Sequence, residues 1–304
     1  MYENGRYRIL SNKAVKREVD EPEKLDDALK NKLELLDKFI ETNNRFAVAL
    51  SGGVDSSFLL QYAARKGADV RPYFAASPFN AEDALKKAVN VANAARVRLR
   101  PVKVDTLSHR EIVENPENRC YYCKKLMFKE IMYQVALESD PYPILVDGTN
   151  FSDDEKTRPG MMVLKELASN PQVIEVKFTN KNEKKATIRF CSPLRECELT
   201  KDDIRKAAKY FNMPFYKQPS NSCLATRIAT GEEITDEKLR KIEFAERCLN
   251  KMGISDCRAK LFGNDLVIKI HQYDANKAVK NEEILQNRLN GMFDSVRIDM
   301  EDFR

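Results

Sequence analysis

Between residues 23 and 44 the apolar side chains Leu25, Leu33, Leu36, Phe39 and Ile40 recur at helical spacing, which predicts an amphipathic helix. The short apolar run RFAVAL (45–50) then reads as a buried strand. A polar turn follows, and Leu59, Leu60 and Ala63 mark the core face of a helix that stops near Gly67. The same rhythm continues with strand DVRPYFAA, helix AEDALKKAVNVANAARV, strand RLRPVKV, helix CKKLMFKEIMYQVALES and strand YPILVDGTN. Strand alternating with helix predicts an α/β fold built on a doubly wound parallel sheet.

The rhythm changes after Glu166. Period-two stretches on either side of NKNEKK predict a β-hairpin inserted at about residues 169–190. TKDDIRKAAKYFNM then reads as a helix with Thr200 as N-cap, Asp203 completing a weak capping box, and Pro214 beyond its end. From residue 223 a second pattern begins: a helix between Thr235 and Gly253, two strands around a Gly263–Asn264 turn, a helix over 275–291 and a last strand, SVRIDM. The expected organisation is an irregular arm and helix over 1–43, an α/β domain over 44–222 and a small α+β domain over 223–304.

Composition narrows the class. Apolar residues make up 42% of the 304, enough for a real core, and the 33% that are charged are mixed in sign, as on a solvated surface. The net charge of +5 suits an anionic ligand such as a nucleotide and is compatible with RNA. The N-terminal stretch has no apolar signal core, and no apolar run approaches membrane-spanning length, so a cytoplasmic protein with reduced thiols is expected. Seven cysteines, an odd number, do not form a disulfide framework.

The first chemical signal is Ser51-Gly52-Gly53-Val54-Asp55-Ser56-Ser57, where a strand gives way to a helix. Two glycines let the backbone approach a ligand, and the helix adds its free N–H groups and positive end. The hydroxyls of Ser51, Ser56 and Ser57 supply further donors. This is an anion cradle, without the spacing or lysine of a Walker A loop and unlike the dinucleotide GxGxxG.

The second signal is NRCYYCKK, with Cys120 and Cys123, joined a hundred residues later by Cys223 in PSNSCLATRI. A CxxC pair in a reduced compartment reads as metal or redox chemistry, and no thioredoxin-like unit surrounds this one. Three thiolates can hold zinc, or a [4Fe–4S] cluster with one iron left open. Cys191, Cys197, Cys248 and Cys257 lie in strand or helix patterns and read as core or surface thiols. His109 and His271 have no partner visible in sequence.

The loop resembles the SGGxDS[ST] pyrophosphate loop of the PP-loop ATP pyrophosphatases, whose fold is adenine nucleotide alpha hydrolase-like. From about residue 44 to 270 the chain is similar to the LarE family, ATP-dependent sulfur transferases that make the nickel-pincer nucleotide cofactor. The similarity rests on NPENRCYYCK, DGTNFSDDEKTRPG, CSPLRECELTKDDIRKAAKYFNMPFYKQPSNSCLATRI and EEITDEKLRKIEFAERCL; the hairpin and the N-terminal arm depart from it. The resemblance implies adenylation of a carboxylate of pyridinium-3,5-biscarboxylic acid mononucleotide, then displacement of AMP by sulfur to leave a thiocarboxylate. It also implies ATP, Mg2+ and, from the added Cys120 and Cys123, a [4Fe–4S] cluster on Cys120, Cys123 and Cys223, a sulfide donor and a trimer-based homo-oligomer.

Residue by residue, the resemblance assigns Ser51, Gly52, Gly53, Asp55, Ser56, Ser57 and Ser77 to the nucleotide, with Asp55 near the metal-bound phosphates. Asp147, Gly148, Thr149 and Asn150 would line the nucleotide or metal site, with Asp154 a candidate magnesium ligand; an Asx-type turn after a strand is the plainer alternative. Lys124 would meet a phosphate or the developing charge, or is one solvated lysine among many. Arg227 would act beside Cys223. Arg258 and Lys260 alternate on one strand face and would grip the substrate's phosphate, and Glu246 would stand near the sulfur; solvated positions are the alternative for all three. Sacrifice of the Cys223 sulfur, a cluster-dependent tRNA thiolase, a nucleotide-binding iron–sulfur sensor and a purely structural zinc are the competing readings.

Overall fold

The computed structural model describes residues 24–154, 159–177, 183–219, 223–254 and 256–300. Helix α1 (Asp27–Thr42) starts where the Asp26 carboxylate accepts the Leu29 amide at 2.8 Å, and it buries Leu29, Leu33, Leu36 and Ile40. Then follow β1 (Arg45–Ala49), α2 (Val54–Arg65), β2 (Asp69–Ala76), α3 (Glu82–Ala94), β3 (Arg100–Lys103), the short α4 (Arg110–Val113), α5 (Arg119–Leu137) and β4 (Ile144–Val146). After them come α6 (Gly160–Ser169), β5 (Gln172–Lys177), β6 (Glu183–Cys191), the short α7 (Pro193–Glu196) and α8 (Lys201–Tyr210).

These strands form one six-stranded sheet in the order β3-β2-β1-β4-β6-β5, parallel except for β5. Its strands are apolar on both faces because helices cover both. Phe46, Val48, Val70, Phe74, Ile144 and Val146 point to the side holding α1, α2, α3 and α8. The alternate residues Ala47, Tyr73, Ala75 and Leu145 point to the side holding α5 and α6. The expected doubly wound α/β architecture is the one observed.

Three local expectations are revised. The alternation does not break at Glu166, because α6 spans that position and buries Met161, Val163 and Leu164. The expected hairpin forms as β5 and β6, but it is also part of the main sheet: Arg189, Phe190 and Cys191 of β6 pair in parallel with β4, while its earlier residues pair with β5. Ala186, Ile188 and Phe190 alternate inward, a pattern that names a half-buried strand without naming its partner. The hairpin tip at 178–182, like the arm at 1–22, lies outside the described residues. The helix expected over 275–291 is two, α10 (Ala275–Lys280) and α11 (Glu282–Leu289), separated at Asn281.

The capping box at α8 forms as expected: Thr200 Oγ1 accepts from Asp203 N at 3.2 Å, and the Asp203 carboxylate accepts from Thr200 N at 3.0 Å. Lys32 of α1 pairs with the same carboxylate at 2.8 Å, fastening two helices. Thr200→Ala is therefore expected to lower unfolding free energy by about 1 kcal/mol, read from the urea midpoint at unchanged slope.

Residues from Leu224 onward build a second core. Helix α9 (Asp236–Lys251) packs against a three-stranded sheet, β7 (Cys257–Phe262), β8 (Asp265–Ile270) and β9 (Ser295–Met300), in that order. β7 and β8 are antiparallel around Gly263, whose φ of 59° suits the tight turn, and β9 runs parallel to β8. Phe79, from the loop after β2, and Ile112 of α4 sit in this second core with Leu224, Ala225 and Ile228. Among the described residues no helix is long and apolar enough to cross a membrane.

Candidate active site

Strand order reverses between β1 and β4: β2 and β3 lie to one side, β6 and β5 to the other. At such a switch point the connections leave in opposite directions and open a crevice beyond the carboxyl ends of the strands. A cavity of about 880 Å³ lies there. The loop after β1 lines it with Ser51, Gly53, Asp55 and Ser56, and the segment after β4 with Asp147, Gly148 and Thr149. Cys223, Arg227, Glu246 and Arg258 line the same cavity, as does Lys124.

The loop is held open by its own hydroxyls. Ser51 Oγ and Ser56 Oγ lie 3.0 Å apart, Ser56 Oγ accepts from Ser51 N at 3.2 Å, and Ser51 Oγ accepts from Gly53 N at 3.3 Å. Gly53 is the N-cap of α2 and offers no side chain, so the first amides of that helix are left for a ligand. Gly52 adopts φ 77°, and a Cβ there would stand 3.2 Å from the Ala84 carbonyl of α3. A Cβ on Gly148 would stand 2.5 Å from Ser56 N and 2.7 Å from Ser56 Cα. The bare backbone of the β4 loop therefore presses against the first turn of α2.

Two acids flank this cradle. Asp55 Oδ1 is buried with no hydrogen-bond partner among the described residues, while Oδ2 lies 3.6 Å from Lys201 Nζ. Burial raises the Asp55 carboxyl, Lys201 opposes it, and Asp153 reinforces it. Asp147 is buried and accepts from Ser192 Oγ at 2.8 Å and from Thr149 N at 3.2 Å. Burial raises its carboxyl too, against the nearby Lys124 ammonium. Ionising a carboxyl so raised costs folding free energy, a cost that a bound cation removes.

Cys120 and Cys123 sit in the first turn and a half of α5, which starts at Arg119 rather than at Cys123 as expected, and Cys223 precedes a 3-10 turn over Leu224–Arg227. Burial pushes the Cys123 thiol up to about 12, with Cys223 and then Cys120 adding to the rise. The three thiols thus lie within electrostatic reach of one another. Cys223 is exposed to the cavity but crowded by surrounding atoms, which raises its thiol; Arg119 opposes that rise. Among the described residues no group of three His, Cys, Asp or Glu side chains stands at the spacing of a single metal ion.

On the far wall Arg227, 5% exposed, donates through Nε to Glu246 Oε1 at 2.7 Å, and the same oxygen accepts from Ala259 N at 3.0 Å. Arg258 is steadied by Asp256 at 3.0 Å, and Asp256 also meets His271 Nε2 at 3.1 Å. Glu243 of α9 accepts the amide of Glu82 at the start of α3, and Arg247 pairs with the Glu82 carboxylate at 2.8 Å.

No protein-family model matches the chain. It is 30% identical over 281 residues to the protein MJ0830 of Methanocaldococcus jannaschii, covering 92% of this chain and 98% of that one. The chain belongs to the MJ0830 family. A Synechocystis protein, slr1717, is 28% identical over 91% of this chain and 96% of its own. The pyridinium-3,5-bisthiocarboxylic acid mononucleotide synthase of Lactiplantibacillus plantarum is 25% identical over 224 residues, 73% of this chain and 72% of the synthase.

In this member of the MJ0830 family the cavity gathers most, but not all, of the residues singled out in sequence. Gly52, Ser57, Ser77, Asn150, Asp154, Lys260, Cys120 and Cys123 do not line it. Ser77 is spent locally: its Oγ accepts from Phe79 N at 3.2 Å, and its amide donates to Asn80 Oδ1 at 2.7 Å. Lys260 shares the half-buried face of β7 with Arg258, but only Arg258 reaches the cavity. Asp153, rather than Asp154, is the acid that faces Asp55. Lys87 carried no sequence signal, whereas Lys201 and Gln218, like Asn115 and Arg119, lie inside stretches that carry the family resemblance without any feature that singles them out.

Proposed function

We propose that the protein is a LarE-type sulfur transferase acting on pyridinium-3,5-biscarboxylic acid mononucleotide. The observation that carries this reading is a single cavity lined by both an anion cradle after β1 and the Cys223 residue. The name of the Lactiplantibacillus plantarum relative supports it.

The chemistry has two halves. A substrate carboxylate oxygen attacks the α-phosphorus of ATP, the α–β bridge breaks, and pyrophosphate leaves with the bond's electron pair. Sulfide then adds to the acyl carbon and AMP leaves, giving a thiocarboxylate. Activation is needed because a carboxylate does not release its own oxygen, whereas AMP is a good leaving group. The free amides at the start of α2, with Ser51 and Ser56, would bind the departing phosphates. Asp55, with its unpartnered Oδ1, would hold the magnesium that accompanies ATP. Lys124 would face the charge that develops at the reacting centre, and Arg258 would bind the substrate's phosphate.

The donor set of Cys120, Cys123 and Cys223 is soft and fits iron–sulfur chemistry, with no single-ion site preformed among the described residues. A [4Fe–4S] cluster bound there would supply sulfur at its open iron. A second reading has a specific observation in its favour: of the three thiols, Cys223 is the one that lines the cavity. In that reading Cys223 gives up its own sulfur and becomes dehydroalanine.

The deciding experiment is ATP–pyrophosphate exchange with and without the pyridinium dicarboxylate mononucleotide, followed by mass spectrometry of substrate and protein after one turnover. Substrate-dependent exchange with a thiocarboxylate product and an unchanged protein mass is expected. A protein lighter by hydrogen sulfide establishes the sacrificial route. No exchange with this substrate sinks the proposal, and exchange with tRNA in its place assigns the chain to RNA thiolation.

A further inference from the structure

A buried arginine that the chemistry above does not use lies between the CxxC turn and the Cys223 segment. Arg119 is 7% exposed. Its Nη1 donates to Asn115 Oδ1 at 2.7 Å and to the Ala225 carbonyl at 2.8 Å, and its Nη2 lies 3.7 Å from Cys120 Sγ. Asn115 extends the link: its Nδ2 donates to the Ala229 carbonyl at 2.7 Å and the Ile228 carbonyl at 3.3 Å, and its own carbonyl accepts from Gly231 N at 2.8 Å. Ile234 N adds a bond to the Val113 carbonyl at 2.8 Å. Two thiols therefore ride on one side of this joint and the third on the other.

The partners of Arg119 are an amide oxygen, a peptide carbonyl and a thiol, none of them an anionic group. Among the described residues no carboxylate stands against it, in contrast to Arg227, which has Glu246. Burying a guanidinium without a counter-charge is costly, and buried charges are ordinarily paired. The missing negative charge is the one that three metal-bound thiolates would bring.

We infer that Arg119 is the counter-cation and positioning residue of the three-cysteine site, holding Cys223 in register with Cys120 and Cys123. This rests on the cluster reading given above. A fixed positive charge beside a cluster favours its more negative, reduced form, so removing it moves the reduction potential downward. It also removes the tie to Ala225 that keeps the third ligand in place.

The test reconstitutes the full chain anaerobically with iron and sulfide as wild type, Arg119→Gln and Arg119→Lys. Iron affinity is read by chelator competition, the potential by redox titration followed with electron paramagnetic resonance, and folding by circular dichroism. Arg119→Gln is expected to bind the cluster about 10–100-fold more weakly and at a more negative potential. Arg119→Lys, which keeps the charge but not the fork, is expected to recover the potential while still losing affinity. Unchanged affinity and potential in Arg119→Gln overturn the inference. So do equal losses in both variants with no difference in potential, since that outcome marks a plain strut. If Arg119→Gln does not fold, Arg119→Lys decides alone: a potential displaced as far as its affinity overturns the counter-charge. A wild-type chain that takes up no iron and sulfide overturns the cluster reading itself, and this inference with it.

Discussion

Gly148→Ala is expected to lose substrate-dependent ATP–pyrophosphate exchange by about 100-fold, the scale of an ångström-sized misplacement in an active site. The new methyl would lie 2.5 Å from Ser56 N and 2.7 Å from Ser56 Cα, and neither backbone atom can swing aside as a side chain could. Relief must come from parting the end of β4 from the start of α2. That motion moves the first amides of α2, which the proposed function assigns to phosphate. Overpacking of this kind costs about 1–3 kcal/mol in stability, so the thermal midpoint falls while the chain still folds. Gly53→Ala is the steric comparison: its backbone has φ −77°, and a Cβ would meet Ser51 Oγ at 3.4 Å, an ordinary contact. Its thermal midpoint is expected to stay near that of the wild type. Exchange in Gly148→Ala at the wild-type rate would mean that the cradle does not depend on this close approach.

Cys223→Ala is expected to separate the two halves of the reaction. The residue lines the cavity but makes none of the hydrogen bonds that shape the loop after β1. Adenylation should survive, so exchange of label between pyrophosphate and ATP continues. Thiocarboxylate formation should fall by about a thousandfold or more, the scale set by removing a group that takes part in bond making. Product formed by Cys223→Ala at wild-type yield would remove the thiol from the mechanism under either sulfur source. Loss of exchange together with product would instead place Cys223 in nucleotide binding.

The shape of the loop after β1 was legible in the sequence because it is set locally. A strand, two glycines, an acid, serines and a helix sit within a dozen residues, and each contributes through backbone geometry that residue type alone constrains. The parallel sheet was legible for a related reason, since alternating periods of two and near four constrain connection as well as conformation. What the sequence withheld is long-range. Asp153 and Asp154 are alike as letters, and only the turn after β4 decides which faces Asp55. Arg258 and Lys260 share a face by alternation, yet the cavity reaches only the first of them. Arg119 reads as one more basic residue beside a CxxC, and its meaning comes from Ala225, more than a hundred positions away. The hairpin of β5 and β6 was legible too, but not the pairing of β6 with β4, because a period does not say which further neighbour a strand takes.

The helix α9 touches both ends of the cavity. Its Glu246 grips Arg227 beside Cys223, while Glu243 and Arg247 fasten the start of α3, the helix on whose flank Gly52 rests. The loop after β1 and Arg227 therefore share one footing. A displacement of that footing would carry both along together, and the interval between the two half-steps of the proposed reaction would be kept.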